Sequence, residues 1–171
     1  MPVGSLVLSR RSLVLSASCA VLASPSLARG PSAVTPSVLF ICRYGTVKSP
    51  IGREVLKRRA SEQGVAVTAY SRGLTIEDHI TPRLAQALRA DGIDIWSEPR
   101  RVLDPGDIAR ANVVVAFDRL PADLPAPTHD WSDFPSFNED YAVARAELDV
   151  RLARLLDDLR RRRPISGAVA S

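Results

Sequence analysis

A chain of 171 residues, 46% of them apolar, carries enough material for one ordinary domain with a buried core. Its 23 basic and 19 acidic residues leave a formal charge of +4, but the clusters Lys57-Arg58-Arg59 and Arg160 to Arg163 have no interleaved aromatics and no nucleic-acid motif beside them. A nucleic-acid partner is therefore not expected, and His79 and His129, which have no metal-ligand spacing with each other or with Cys42, give no reason to expect a metal site.

The N-terminal 28 residues have the three parts of an export signal: the basic pair Arg10-Arg11 after Ser9, an apolar run from Leu13 to Leu22, and the small-residue exit Ser26-Leu27-Ala28. The adjacent arginines make the signal twin-arginine-like, an address for periplasmic or secreted protein. If the leader is instead a misassigned start, the protein is cytoplasmic and begins near Ser37. Cleavage after Ala28 removes two arginines and no acid, so that the charge falls from +4 to +2. It leaves no segment for stable membrane insertion. It also removes Cys19, leaving Cys42 as the one cysteine, so that no intramolecular disulfide can form even in an oxidising compartment. Residues 29–36, rich in Pro, Ser and Ala, read as a linker.

Residues 37–163 carry the domain pattern. Val38-Leu39-Phe40-Ile41 is a buried strand, and Cys42 opens the tight loop Cys42-Arg43-Tyr44-Gly45-Thr46-Val47-Lys48-Ser49-Pro50. The apolar spacing of Ile51, Val55, Leu56 and Ala60 predicts a helix directly after it. A glycine-containing loop between strand and helix turns backbone N–H groups inward at the positive end of the helix, which suits a tetrahedral oxyanion and a thiolate. Val65–Tyr70 is expected as a second strand, Pro82–Ala90 as a helix ended near Gly92, Asp104–Arg110 as a short helix, and Asn112–Phe117 as a strand inside a parallel sheet. The final helix starts from Asn138, with Tyr141, Ala144, Leu148, Leu152, Leu155, Leu156 and Leu159 on one stripe, and stops at Pro164; residues 164–171 read as a flexible tail. Alternating strands and helices indicate an α/β fold with a mostly parallel sheet, and the site of such a sheet lies at the carboxyl ends of its strands, where Cys42 falls.

Cys42, Ser49 and Pro50, the later Ser71-Arg72-Gly73, Gly92-Ile93-Asp94, the basic pair Arg100-Arg101 and the strand ending at Phe117 together resemble the low-molecular-weight protein tyrosine phosphatase family from about Ser37 to about Leu159. The resemblance implies a three-layer sandwich around a central four-stranded sheet and hydrolysis of a phosphate monoester through a phosphocysteine, without cofactor. It implies Cys42 as nucleophile, Arg43, Tyr44, Gly45, Thr46, Val47 and Ser49 as the substrate-binding loop, and Lys48 in the place of the family's arginine. Lysine is a compact point charge and lacks the planar fork of arginine, so the exchange bears on catalytic rate. The general acid is expected at Asp133, with Asp130 as the fallback, in a loop where Trp131 and Phe134 would desolvate it. Tyr44 and Trp131 are the aromatic candidates for the mouth of the cleft, and Ser71 for steadying the loop. Two other readings stay open: an oxyanion-binding relative without turnover, and an arsenate reductase that draws on an external thiol.

Overall fold

All six residues of β1 (Ser37–Cys42) are buried, as a strand covered on both faces requires. In the computed structural model, which describes residues 35–162, β2 (Thr68–Gly73) lies on one side of β1. β3 (Val113–Ala116) lies on the other, and the two-residue β4 (His129–Asp130) lies beyond β3. Every pairing is parallel, in the order β2-β1-β3-β4. The connecting helices are α1 (Lys48–Glu62), α2 (Pro82–Ala90), α3 (Pro105–Arg110) and α4 (Tyr141–Arg162).

The pleat of β1 sorts the core into two halves. Val38, Phe40 and Cys42 point to a large cluster with Ile51, Val55 and Leu56 of α1 and Leu148, Leu152 and Leu156 of α4. Leu39 and Ile41 point the other way, to Ile108 of α3 and Val114 of β3. The result is the expected three-layer α/β sandwich, with α3 on one face and the longer helices on the other. Cys42 therefore belongs to the face on which α1 lies, and its side chain stands below the first turn of that helix.

Local chemistry sets the helix ends. Thr81 caps α2 by accepting the Leu84 N–H at 3.2 Å, with Pro82 in the first turn, and Asp104 and Asp107 form a reciprocal capping box at α3. Asp107 is also gripped by both arms of the Arg72 guanidinium, at 2.7 and 3.0 Å, which ties α3 to the end of β2. The boundaries of α2 and α3 agree with the sequence pattern.

Two elements differ from expectation. β2 begins at Thr68, three residues late, because the Val65 N–H bonds the Ala60 carbonyl at 2.8 Å and so closes α1; pairing starts where the Thr68 N–H reaches Pro36 O at 2.9 Å. β4 was expected as loop; it exists through the pairing of His129 and Asp130 with Val115 and Ala116. Cys42 itself ends β1 rather than opening the loop. The expected export signal, most of the linker and the tail lie outside the described residues.

Candidate active site

The loop after β1 is clamped from one side. The carbonyls of Cys42, Arg43 and Tyr44 accept the N–H groups of Leu74, Thr75 and Glu77 at 3.1, 2.9 and 3.3 Å. In a trans peptide the next residue's N–H points opposite to the carbonyl, so the amides of Arg43, Tyr44 and Gly45 face away from the 74–77 segment. The fully buried Thr46 hydroxyl adds a bond to Glu77 O at 2.8 Å. Gly45 is required here twice over: its φ is +62°, and its backbone lies against Gly73, whose Cα stands 2.9 Å from where a Gly45 Cβ would be. The helix that follows, 15 residues long, starts at Lys48 with no side chain capping it, so its first-turn N–H groups have no side-chain acceptor.

This loop and helix end, together with residues from three other segments, enclose a cavity of about 260 Å³. Cys42, Arg43, Tyr44, Thr46, Val47 and Lys48 line it from the loop; His79, Asp118, Ser136, Phe137 and Asn138 line it from elsewhere. Cys42 is buried at its floor, with Sγ 3.1 Å from the Ser49 hydroxyl. That hydroxyl in turn donates to the Arg72 carbonyl at 3.0 Å. A hydroxyl has a single proton, so the two bonds depend on the state of the sulfur. With a thiol, the S–H donates to Ser49, and Ser49 to Arg72. With a thiolate, the Ser49 proton must turn to the sulfur and release the Arg72 carbonyl.

Lys48 Nζ is surrounded by acceptors: Phe134 O at 3.2 Å, Phe117 O at 3.5 Å and the Asp118 carboxylate at 3.9 Å. Asp118 also accepts the Arg43 N–H at 2.9 Å. The mouth of the cavity has a stacked wall, with the Tyr44 and His79 rings 3.9 Å apart between centroids and the Arg43 guanidinium 5.5 Å from the Tyr44 ring. Asn138 holds this wall by donating to His79 O at 2.7 Å.

A model of the low molecular weight phosphotyrosine protein phosphatase family matches residues 37–129, more than half of the chain. The chain belongs to that family. No curated relative matches it at the level of sequence. Solved structures with the same fold include YfkJ from Bacillus subtilis (18% identity, 78% of this chain and 98% of that one covered, TM-score 0.59). A protein tyrosine phosphatase from Entamoeba histolytica is similar over 77% of this chain and all of its own (14% identity, TM-score 0.59). A thioredoxin-dependent arsenate reductase from Corynebacterium glutamicum is similar over 74% of this chain and 62% of its own (22% identity, TM-score 0.56). At these identities the structures establish the fold.

In this family member the loop residues lie together in one site: Arg43, Tyr44, Thr46, Val47 and Lys48 on the cavity wall with Cys42, and Gly45 and Ser49 buried behind them. Asp133 does not line this cavity. Its carboxylate is held by both arms of Arg151, at 2.8 and 3.0 Å, in a separate surface pocket that also contains Asp130 and Trp131. The Arg151 hydrogen bonds keep the Asp133 carboxyl below its usual range, which is opposite to the desolvated acid that was expected. Asp130 is lowered too, by its hydrogen bond with Ser132. Trp131 is buried against Phe117 with centroids 5.4 Å apart and does not line the Cys42 cavity. Ser71 accepts from the buried Arg53 at 2.9 Å and does not touch the loop.

Asp118, His79 and the 136–138 segment were not legible as site residues. The signal that could have found Asp118 was its position: it stands two residues past a continuous apolar strand, where the carboxyl edge of a parallel sheet gathers its functional groups.

Proposed function

We propose that the protein hydrolyses phosphate monoesters by way of a phosphocysteine on Cys42. The observation that carries this reading is the position of the thiol: buried at the floor of a cavity, 3.1 Å from a hydroxyl, beneath inward-facing loop amides and an uncapped helix start. The amides, the helix end and Lys48 stabilise the equatorial oxygens of the transferring phosphoryl group, where catalysis of this reaction gets most of its effect. Ser49 turns its O–H to donate a hydrogen bond to the sulfur, which steadies the thiolate before attack and again as it leaves phosphorus in the second step. The aromatic wall of Tyr44 and His79 suits a flat leaving group such as a phenol. The twin-arginine-like leader supports work outside the cytoplasm.

One observation favours a second reading, oxyanion binding without turnover: Lys48 is already engaged by two carbonyls and Asp118. Single-turnover mixing of residues 29–171 with an aryl phosphate separates the two. A burst of phenol with an adduct of about 80 Da on Cys42, the mass of one phosphoryl group, is the expected result. Saturable phosphate binding with neither burst nor adduct would replace the hydrolase reading with the binding one. Cys42→Ser should abolish release while vanadate still binds.

A further inference from the structure

The reaction proposed above needs a proton for the leaving oxygen, and the carboxylates expected to give it lie elsewhere. We infer that Asp118, at the carboxyl edge of β3, is the general acid of the first step and the general base of the second. This inference rests on the hydrolase reading.

Geometry favours Asp118 over every other acid among the described residues. It is the one carboxylate lining the Cys42 cavity, whereas Asp133 and Asp130 line a different pocket. Its place is fixed by strand register. Ile41 pairs with Ala116, and the Phe117 N–H bonds Ile41 O at 2.8 Å, so Asp118 comes level with Arg43, the residue directly after the nucleophile. The Asp118 carboxylate duly accepts the Arg43 N–H at 2.9 Å. Adjacent strands stand about 4.8 Å apart, which puts the carboxylate within a phosphoryl group's width of the loop that would hold it.

His79 is the other titratable wall group suited to proton transfer, and its Nε2 is turned to Glu77 at 3.3 Å while its ring is stacked on Tyr44. Lys48 Nζ, 3.9 Å away, supplies positive charge beside Asp118, and the Arg43 backbone N–H donates to it. A bound phosphate dianion draws Lys48 to itself and sets its own charge beside the carboxylate.

The proton balance closes on this residue. In the first step the Cys42 sulfur bonds to phosphorus, the bond from phosphorus to the leaving oxygen breaks, and the Asp118 proton goes to that oxygen, giving the alcohol and a carboxylate. In the second step water bonds to phosphorus and gives its proton to Asp118. The P–S bond breaks, and the thiolate and inorganic phosphate are released.

The test is leaving-group dependence in the full chain. Asp118→Asn, Asp133→Asn and His79→Gln are each assayed on phenyl phosphate, whose leaving group needs a proton, and on 2,4-dinitrophenyl phosphate, whose leaving group does not. Asp118→Asn should lower kcat/KM on phenyl phosphate by about 100- to 1,000-fold and on the dinitrophenyl ester by less than about 5-fold. It should also flatten the alkaline fall of kcat on phenyl phosphate, which reports loss of the acid form. Retained turnover of the activated ester shows that the variant is folded. Equal loss on both esters would mean that Asp118 only holds the Arg43 amide, and a selective loss in Asp133→Asn or His79→Gln would move the proton to that residue. Either result overturns the inference. Wild-type protein that turns over neither ester would instead overturn the hydrolase reading.

Discussion

Replacing Lys48 by arginine should make the protein a better phosphatase and a tighter phosphate binder. The Lys48 ammonium has three N–H donors and faces three acceptors, Phe134 O, Phe117 O and the Asp118 carboxylate. An oxyanion can be held only by taking donors away from these groups, so part of each new bond is cancelled by one that is lost. Arginine has five donors in a planar fork, so it can keep the internal acceptors satisfied and still present two to the anion. The net gain is roughly one charge-assisted hydrogen bond, about 1.5–3 kcal/mol. At about 1.36 kcal/mol per factor of ten, that is about 10- to 100-fold in kcat/KM for p-nitrophenyl phosphate, with a comparable fall in the inhibition constant of inorganic phosphate. Lys48→Met, which keeps the stem and removes the charge, sets the baseline. A Lys48→Arg variant that melts like the wild type and works no faster would refute the donor count and show a site shaped around lysine.

Ser49→Ala removes the hydroxyl in contact with the sulfur and should slow hydrolysis of the intermediate more than its formation; quenched-flow mass spectrometry should then find phosphocysteine accumulating at steady state, and an unchanged steady-state level would contradict a hydrogen bond from Ser49 to the departing sulfur. Gly73→Ala puts a Cβ against Thr75 O and 2.7 Å from Gly45 Cα, and should cost more than about 2 kcal/mol in urea denaturation; wild-type stability would mean that the two strand-end backbones part easily. Asp107 is pushed down to about 2 from 3.8, chiefly by Arg72, so its stabilising effect is complete above pH 4 and is lost as pH falls toward 2. Asp107→Asn should lower stability at pH 7 by about 1–2 kcal/mol and flatten the acid limb of the stability curve between pH 4 and 2; parallel acid limbs would show that the carboxylate is not paired in solution.

The loop from Cys42 to Ser49 was legible because its chemistry is contiguous. A thiol, a glycine at positive φ, a cation and a hydroxyl fall within eight residues between a strand and a helix, and no distant partner is needed to read them. The helices Pro82–Ala90 and Pro105–Arg110 were legible for the same reason, since their caps and prolines lie in their own first turns. What failed depended on pairing over distance. Asp118 meets the Arg43 amide across 75 positions, and only the register of β1 with β3 brings them together. Asp133 sits next to aromatic residues that would favour its acid form by desolvation, but Arg151, 18 residues on, reaches back and holds it as the carboxylate. Nothing local indicates which of the arginines of α4 will do so. Likewise, Val65 looks like strand until its amide is seen to close the preceding helix.

The placing of Cys42 at the end of β1 and of Asp118 two residues past β3 carries a mechanical consequence. A proton donor carried on a surface loop must be delivered to the substrate by motion, and its accuracy is limited by how well that loop closes. On the assignment proposed above, both reacting groups stand at the carboxyl ends of two paired strands, in a sheet whose central strands are buried throughout. Their separation is as stiff as the sheet itself. In the connection that follows, Leu120 and Leu124 pack on the second core cluster and Thr128 accepts the Val114 N–H, so it is the exposed positions between these anchors that can change without disturbing the distance between the two groups, which makes them the natural place for such a protein to acquire a new substrate preference.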